Sequence, residues 1–114
     1  MTEPISFDEF SKLDFRVGRV LEAVNVEESD KMIRLVVDFG ELGQRTIFTA
    51  IRKWYKAKEL IGKLYVFIFN LEPRAMFGEE SQGMIIAAET DDGEECVLLV
   101  PDKKIAPRII QAQG

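Results

Sequence analysis

From Met32 to Phe39 the chain alternates without a break. Ile33, Leu35, Val37 and Phe39 point one way; Met32, Arg34, Val36 and Asp38 point the other. A period of two belongs to a pleated strand with one apolar face, and it sets the pattern against which the rest of the chain is read. Residues Phe15 to Val26 are also β-rich, but their alternation slips: Phe15 and Val17 share one parity, while Val20, Val24 and Val26 take the other. Gly18 lies where the slip begins, so a bulge is expected there, bending one strand into two sheets.

More strands follow at short intervals. Gly40-Glu41-Leu42-Gly43 turns the chain into a third strand, Gln44 to Ala50. A helical turn or two over Lys53 to Ile61 stops at Gly62. Lys63 to Asn70 reads as a fourth strand and Gly83 to Glu89 as a fifth; Asp91-Asp92-Gly93 is a hairpin signal leading to Glu95–Val100, stopped by Pro101. Ser6 and Glu9 have capping-box spacing and open a short helix with Phe7, Phe10 and Leu13 on one side. Five or six short strands with a bent first member, and a helix between the third and fourth, predict an all-β fold: the five-stranded Greek-key barrel called the OB-fold, with a short N-terminal helix.

At 114 residues the chain is expected to form one domain over 1–114. Its start at Met1 favours a complete gene product. The longest apolar run, Leu64 to Phe69, falls far short of the ~20 residues that span a membrane, and the N-terminus lacks the features of a secretory signal. A lone cysteine, Cys96, permits no internal disulfide and favours a cytoplasmic setting.

The absence of histidine removes His-based metal sites and Ser-His or Cys-His pairs. Cys96, flanked by Glu94, Glu95, Val97 and Leu98, is poorly placed to be a nucleophile. No catalytic residue, metal ligand or cofactor is expected, and the chain reads as a non-enzyme.

The net charge of -5 argues against a nucleic-acid partner until its distribution is considered. Arg45, Arg52, Lys53, Lys56, Lys58, Lys63 and Arg74 face only Glu59 and Glu72 over positions 45 to 74. From Ala75 to Asp102 there is no Lys or Arg among many carboxylates. The chain therefore reads as electrically two-sided, although Arg52 to Lys58 can equally be a solvated helix face. Between the apolar runs Leu64–Phe69 and Met84–Ala88 lies a polar connector, Asn70-Leu71-Glu72-Pro73-Arg74 to Glu80-Ser81-Gln82-Gly83-Met84. Such a loop on a rigid apolar frame is where recognition usually sits. Beyond Pro101, the tail (101–114) carries Ile105, Ile109 and Ile110 around Pro107. These isoleucines must dock, either on their own domain or on a second copy.

The order Leu13-Asp14-Phe15-Arg16-Val17-Gly18-Arg19-Val20, Ser29-Asp30-Lys31-Met32, Tyr55 to Gly62, Asn70-Leu71-Glu72-Pro73-Arg74 and Ser81-Gln82-Gly83-Met84 resembles the tRNA-binding domain family. That family includes the C-terminal domain or separate β-type subunit of methionyl-tRNA synthetases and free-standing structure-specific tRNA-binding proteins. The resemblance covers about positions 6 to 110. It implies an OB-fold, a cytoplasmic protein, tRNA as partner, association with an aminoacyl-tRNA synthetase, and a homodimer built partly through terminal segments.

It also implies a contact surface of Lys31, Arg34, Asn70, Arg74, Ser81, Gln82 and Met84. Arg and Lys hold phosphates, Ser81 and Gln82 suit ribose hydroxyls or a base edge, and Met84 offers an apolar patch to an unstacked base. Each has a plainer reading. Met84 also fits a core position, Asn70 and Ser81 fit turn and cap roles, and Arg34 fits a solvent-facing strand position. An export-related peptide-binding chaperone of the same fold is the alternative function, suited by Asp38-Phe39-Gly40 and Arg52-Lys53-Trp54-Tyr55 but opposed by Ser81-Gln82-Gly83-Met84.

Overall fold

The computed structural model describes residues 2–113. Its frame is a sheet in the order β3-β2-β1-β4-β7, curled into a nearly closed five-stranded barrel of OB type. The members are β1 (Phe15–Asn25), β2 (Ile33–Asp38), β3 (Gln44–Thr49), β4 (Leu64–Ile68) and β7 (Met84–Ile85). Between β4 and β7 the chain forms a hairpin of β5 (Arg74–Met76) and β6 (Glu79–Ser81).

The alternation in β2 is realised as expected: Ile33, Leu35, Val37 and Phe39 are all buried. Phe39 packs edge-on against Phe67 and Phe69, with centroids 5.3 and 5.0 Å apart. Val20, Ile47 and Leu60 complete the fully buried centre.

The first strand is bent, but the slip lies elsewhere than at Gly18. Val20 pairs with Val37 and Glu22 with Val36, so Leu21 is the extra residue. Gly18 answers a different need. A Cβ there would sit 2.6 Å from Val37 Cγ1 and 2.8 Å from Phe39 Cε1, so only glycine lets β1 pass over the core. The bend gives β1 two partners, β4 along Phe15–Arg19 and β2 along Arg19–Asn25.

α1 (Phe7–Phe10) carries the capping box foreseen for Ser6 and Glu9. The helical stretch before β4 shrinks to α2 (Ala57–Leu60), where Leu60 plugs the barrel end. Gly62 follows at φ 84°, in the left-handed region that ends helices. The expected fifth strand is broken at Ile86. There the chain donates to Val66 and accepts from Leu99, then continues as β8 (Ala87–Glu89) paired with β9 (Cys96–Leu98) around the predicted turn.

The C-terminal tail docks on its own barrel. β10 (Arg108–Ile109) lies beside Arg16 and Val17, taking the place next to β1 that β2 leaves free beyond Asp38. The docking is by backbone, since Ile105, Ile109 and Ile110 stay about 40% exposed. No helix among the described residues is long and apolar enough to cross a membrane.

Candidate nucleic-acid interface

The polar connector is an ordered hairpin. Arg74 pairs with Ser81, Ala75 with Glu80 and Met76 with Glu79. The tip is Phe77-Gly78, with φ 50° and 81°, the left-handed pair that a two-residue turn of right twist requires. Phenylalanine at the first of these positions is uncommon and costs about 1–2 kcal/mol. Its ring compensates by packing on Phe48 of β3, 5.6 Å away.

Two further ties hold the hairpin against the barrel. Arg34 on β2 donates Nε and a terminal nitrogen to the two carboxylate oxygens of Glu79, at 2.7 and 2.8 Å. This bidentate bond lowers the Glu79 carboxyl below its ordinary value and raises the Arg34 guanidinium above its own. Ser81 is buried, and its Oγ accepts the Phe48 N–H at 3.0 Å. Gln82 then pairs with Thr46 in both senses: its N–H donates to the Thr46 carbonyl at 2.9 Å, and its Oε1 accepts the Thr46 N–H at 3.2 Å. Ser81 and Gln82 are thus the seam between β3 and the chain returning to β7. Gly83 makes the crossing possible, since a Cβ there would lie 2.9 Å from the Ile68 carbonyl oxygen.

Between the hairpin and the ends of β2 and β3 is a cleft of about 270 Å³, lined by Met32, Phe48, Leu71, Arg74, Ser81 and Met84 among others. The structure brings three of the seven expected residues, Arg74, Ser81 and Met84, to this cleft. Arg74 is exposed, and its guanidinium has no hydrogen-bond or ion-pair partner among the described residues. Met84 is 46% exposed, which removes the core reading for it. The Ser81 hydroxyl accepts from Phe48, and its own O–H remains free to donate. Lys31 flanks Met32 at the rim, its ammonium without a partner among the described residues and its backbone carbonyl accepting the Arg52 N–H at 3.2 Å.

The other three are engaged elsewhere. Arg34 is tied to Glu79 in a neighbouring hollow. Gln82 is tied to Thr46. Asn70 accepts the Asp14 N–H at 2.9 Å and donates to the Lys12 carbonyl at 2.6 Å, pinning the segment before β1. Phe48, Met32 and Phe77 were not singled out from the sequence. Phe77-Gly78 is the one local signal that could have pointed to a hairpin, because glycine there serves a primed turn.

The sequence segregation of charge is only partly spatial. Lys53 donates to the Gly93 carbonyl and Trp54 to the Glu94 carbonyl, so the acidic turn of β8–β9 sits against the basic approach to α2. Arg45 stacks 3.5 Å from the Phe69 ring centre and donates to the Phe69 carbonyl. Arg52 donates to the Ser29 carbonyl at 2.6 Å. Burial, then the Glu89 charge, push the Cys96 thiol up, away from the thiolate a nucleophile needs.

A small barrel with a lateral cleft, a cation at its mouth and soft apolar walls is the architecture of an OB-type nucleic-acid-binding module. The family model described as "Putative tRNA binding domain" matches residues 15–108, and the chain belongs to that family. It is 50% identical over 101 residues to a methionine–tRNA ligase of Methanothrix thermoacetophila, covering 89% of this chain and 14% of that protein. The chain spans about one-seventh of the length of the curated relatives it matches. Among solved structures, a MetRS-related protein from Pyrococcus horikoshii superposes with a TM-score of 0.89 at 38% identity, covering 96% of this chain and 100% of that one. The chaperone CsaA from Bacillus anthracis superposes with a TM-score of 0.81 at 32% identity, covering 90% and 93%.

Proposed function

We propose that this chain is a non-catalytic tRNA-binding module that works in the cytoplasm and raises the local concentration of tRNA for a methionyl-tRNA synthetase. The observation that carries this reading is that the family match runs through a cleft whose mouth holds an arginine whose guanidinium has no partner among the described residues. Arg74 and Lys31 take phosphates, the Ser81 O–H donates to a ribose or base acceptor, and Met84 with Met32 receives an unstacked base. Asn70, Gln82 and Arg34 act by holding the cleft in shape, and Arg34 becomes a phosphate ligand only when Glu79 releases it.

The working form is a homodimer. Phe7 on α1 is 73% exposed, and Phe10 beside it packs on Phe15, whose carbonyl receives the Ile110 N–H. Both termini therefore present apolar side chains in one region, which a second copy would cover.

A titration of total tRNA and of duplex DNA across a salt series tests the function, with light scattering for the mass. Arg74→Ala and Lys31→Ala should each flatten the slope of log K on log salt by about 0.7–0.9. Equal, negligible binding to both nucleic acids would remove the reading. The likeness to CsaA supports one other function, a peptide-binding chaperone. Suppressed aggregation of an unfolded client together with indifference to tRNA would favour it.

A further inference from the structure

We propose that a second cationic surface, formed by Arg19, Lys63, Lys103 and Lys104, grips the phosphate backbone of the same RNA outside the cleft. These residues surround a hollow of about 400 Å³ bounded by β1, the start of β4 and the segment after β9. Asp102 is the one carboxylate in its lining. It shares no lining residue with the cleft.

The cluster runs against the character of the protein. In a chain of net charge -5, four cations gather around one hollow, and neither of the two ion pairs among the described residues involves them. The three ammonium groups have no hydrogen-bond partner among the described residues. Four cations set against the single Asp102 carboxylate repel one another, and a polyanion relieves that repulsion.

The base of the hollow is held in place. Arg19 donates to the Gly62 carbonyl at 2.9 Å. The Gly62 N–H donates to the Val20 carbonyl at 2.7 Å, and the Val20 N–H to the Lys63 carbonyl at 3.0 Å. Arg19 on β1 and Lys63 just before β4 therefore belong to the barrel wall, and Lys103 and Lys104 line the same hollow from the tail.

This inference rests on the tRNA-binding reading and extends it. Backbone contacts at one small cleft treat a folded RNA and a short single strand much alike. Phosphate contacts at two separated surfaces respond to the distance between segments of a folded RNA, which is how shape is read without sequence.

The test uses the full chain, total tRNA and a short single-stranded RNA across a salt series. The triple variant Lys63→Ala, Lys103→Ala, Lys104→Ala should make the tRNA slope shallower by about 1.4–2.7, for two to three phosphates lost, and leave the single-strand slope unchanged. The same three positions changed to Arg should restore the slope. An unchanged tRNA slope, with the parent binding tRNA and the variant melting like the parent, overturns this inference and leaves the cleft reading intact. The same holds if the variant instead loses association with a synthetase, which would assign the surface to an acidic protein partner. No tRNA binding by the parent overturns both.

Discussion

Ser81→Ala separates the two roles that one hydroxyl plays in this molecule. Its Oγ is the acceptor for the Phe48 N–H at 3.0 Å, and both residues are buried. Alanine removes the acceptor and admits no obvious replacement, because Phe48 lies under the Phe77 ring at the hairpin tip. A buried amide left unpaired costs about 1–3 kcal/mol. For a domain of this length each kcal/mol lowers the melting temperature by about 4 °C, so a fall of roughly 4–12 °C is expected by calorimetry or thermal circular dichroism. Exchange of the Phe48 amide with solvent deuterium should accelerate by about the same free energy, and tRNA binding, measured well below the transition, should weaken because the donor O–H is gone as well. A melting temperature within 1 °C of the parent, together with a Phe48 amide as protected as before, would refute the seam between β6 and β3.

Two other predictions concern the Arg34–Glu79 pair. Glu79→Gln removes the charge that neutralises Arg34, so tRNA binding should tighten and the salt slope should steepen by about 0.7–0.9, while stability changes little because solvent screens an exposed pair; unchanged affinity and slope would show that Arg34 lies out of reach of the RNA. The same pair predicts a pH dependence. The folded carboxyl titrates below its ordinary 4.5, so its contribution is complete above that value and is lost only as pH falls through the depressed folded value. The Glu79 side-chain carboxyl carbon, followed by NMR, should therefore show a midpoint below 4.5 that returns toward it in Arg34→Met; a midpoint at or above 4.5 in the parent would break the anchor.

How much of this was legible in the sequence differs by element, and the differences have physical causes. β2 was plain because one face is core and the other is not, so every residue from Ile33 to Phe39 carries the signal. The bend in β1 was also visible, as a break in parity, but not its position. Gly18 and the bulge at Leu21 both disturb the pattern within four residues, and sequence alone cannot tell a glycine required by Val37 and Phe39 from one required by a bulge. The hairpin from Arg74 to Ser81 was missed because its strands are three residues each and largely exposed, leaving no apolar alternation to detect. Of the candidate site, residue types drew attention to Arg74, Ser81 and Met84, which line one cleft. What they could not reveal was which polar groups the protein itself consumes: Asn70, Gln82 and Arg34 have the chemistry of ligands and the geometry of struts.

That distinction also resolves the apparent conflict between an acidic protein and an RNA partner. A hydrogen bond to a backbone carbonyl orients an arginine without cancelling its charge, whereas a carboxylate cancels it. Arg19, Arg45 and Arg52 bond to carbonyls, so they keep their field while losing their freedom. Among the described residues, Arg16 and Arg34 are the two arginines paired with acids. Glu72 lines the cleft, but other acids are gathered away from its lining, such as those of the Asp91-Asp92 turn, where the Glu94 N–H and then the Thr90 hydroxyl stabilise the Asp92 carboxylate and hold it below its ordinary value. Association with RNA depends on the local field within about a Debye length of ~8–10 Å, and over that distance the partners of each cation matter more than the sum over the chain.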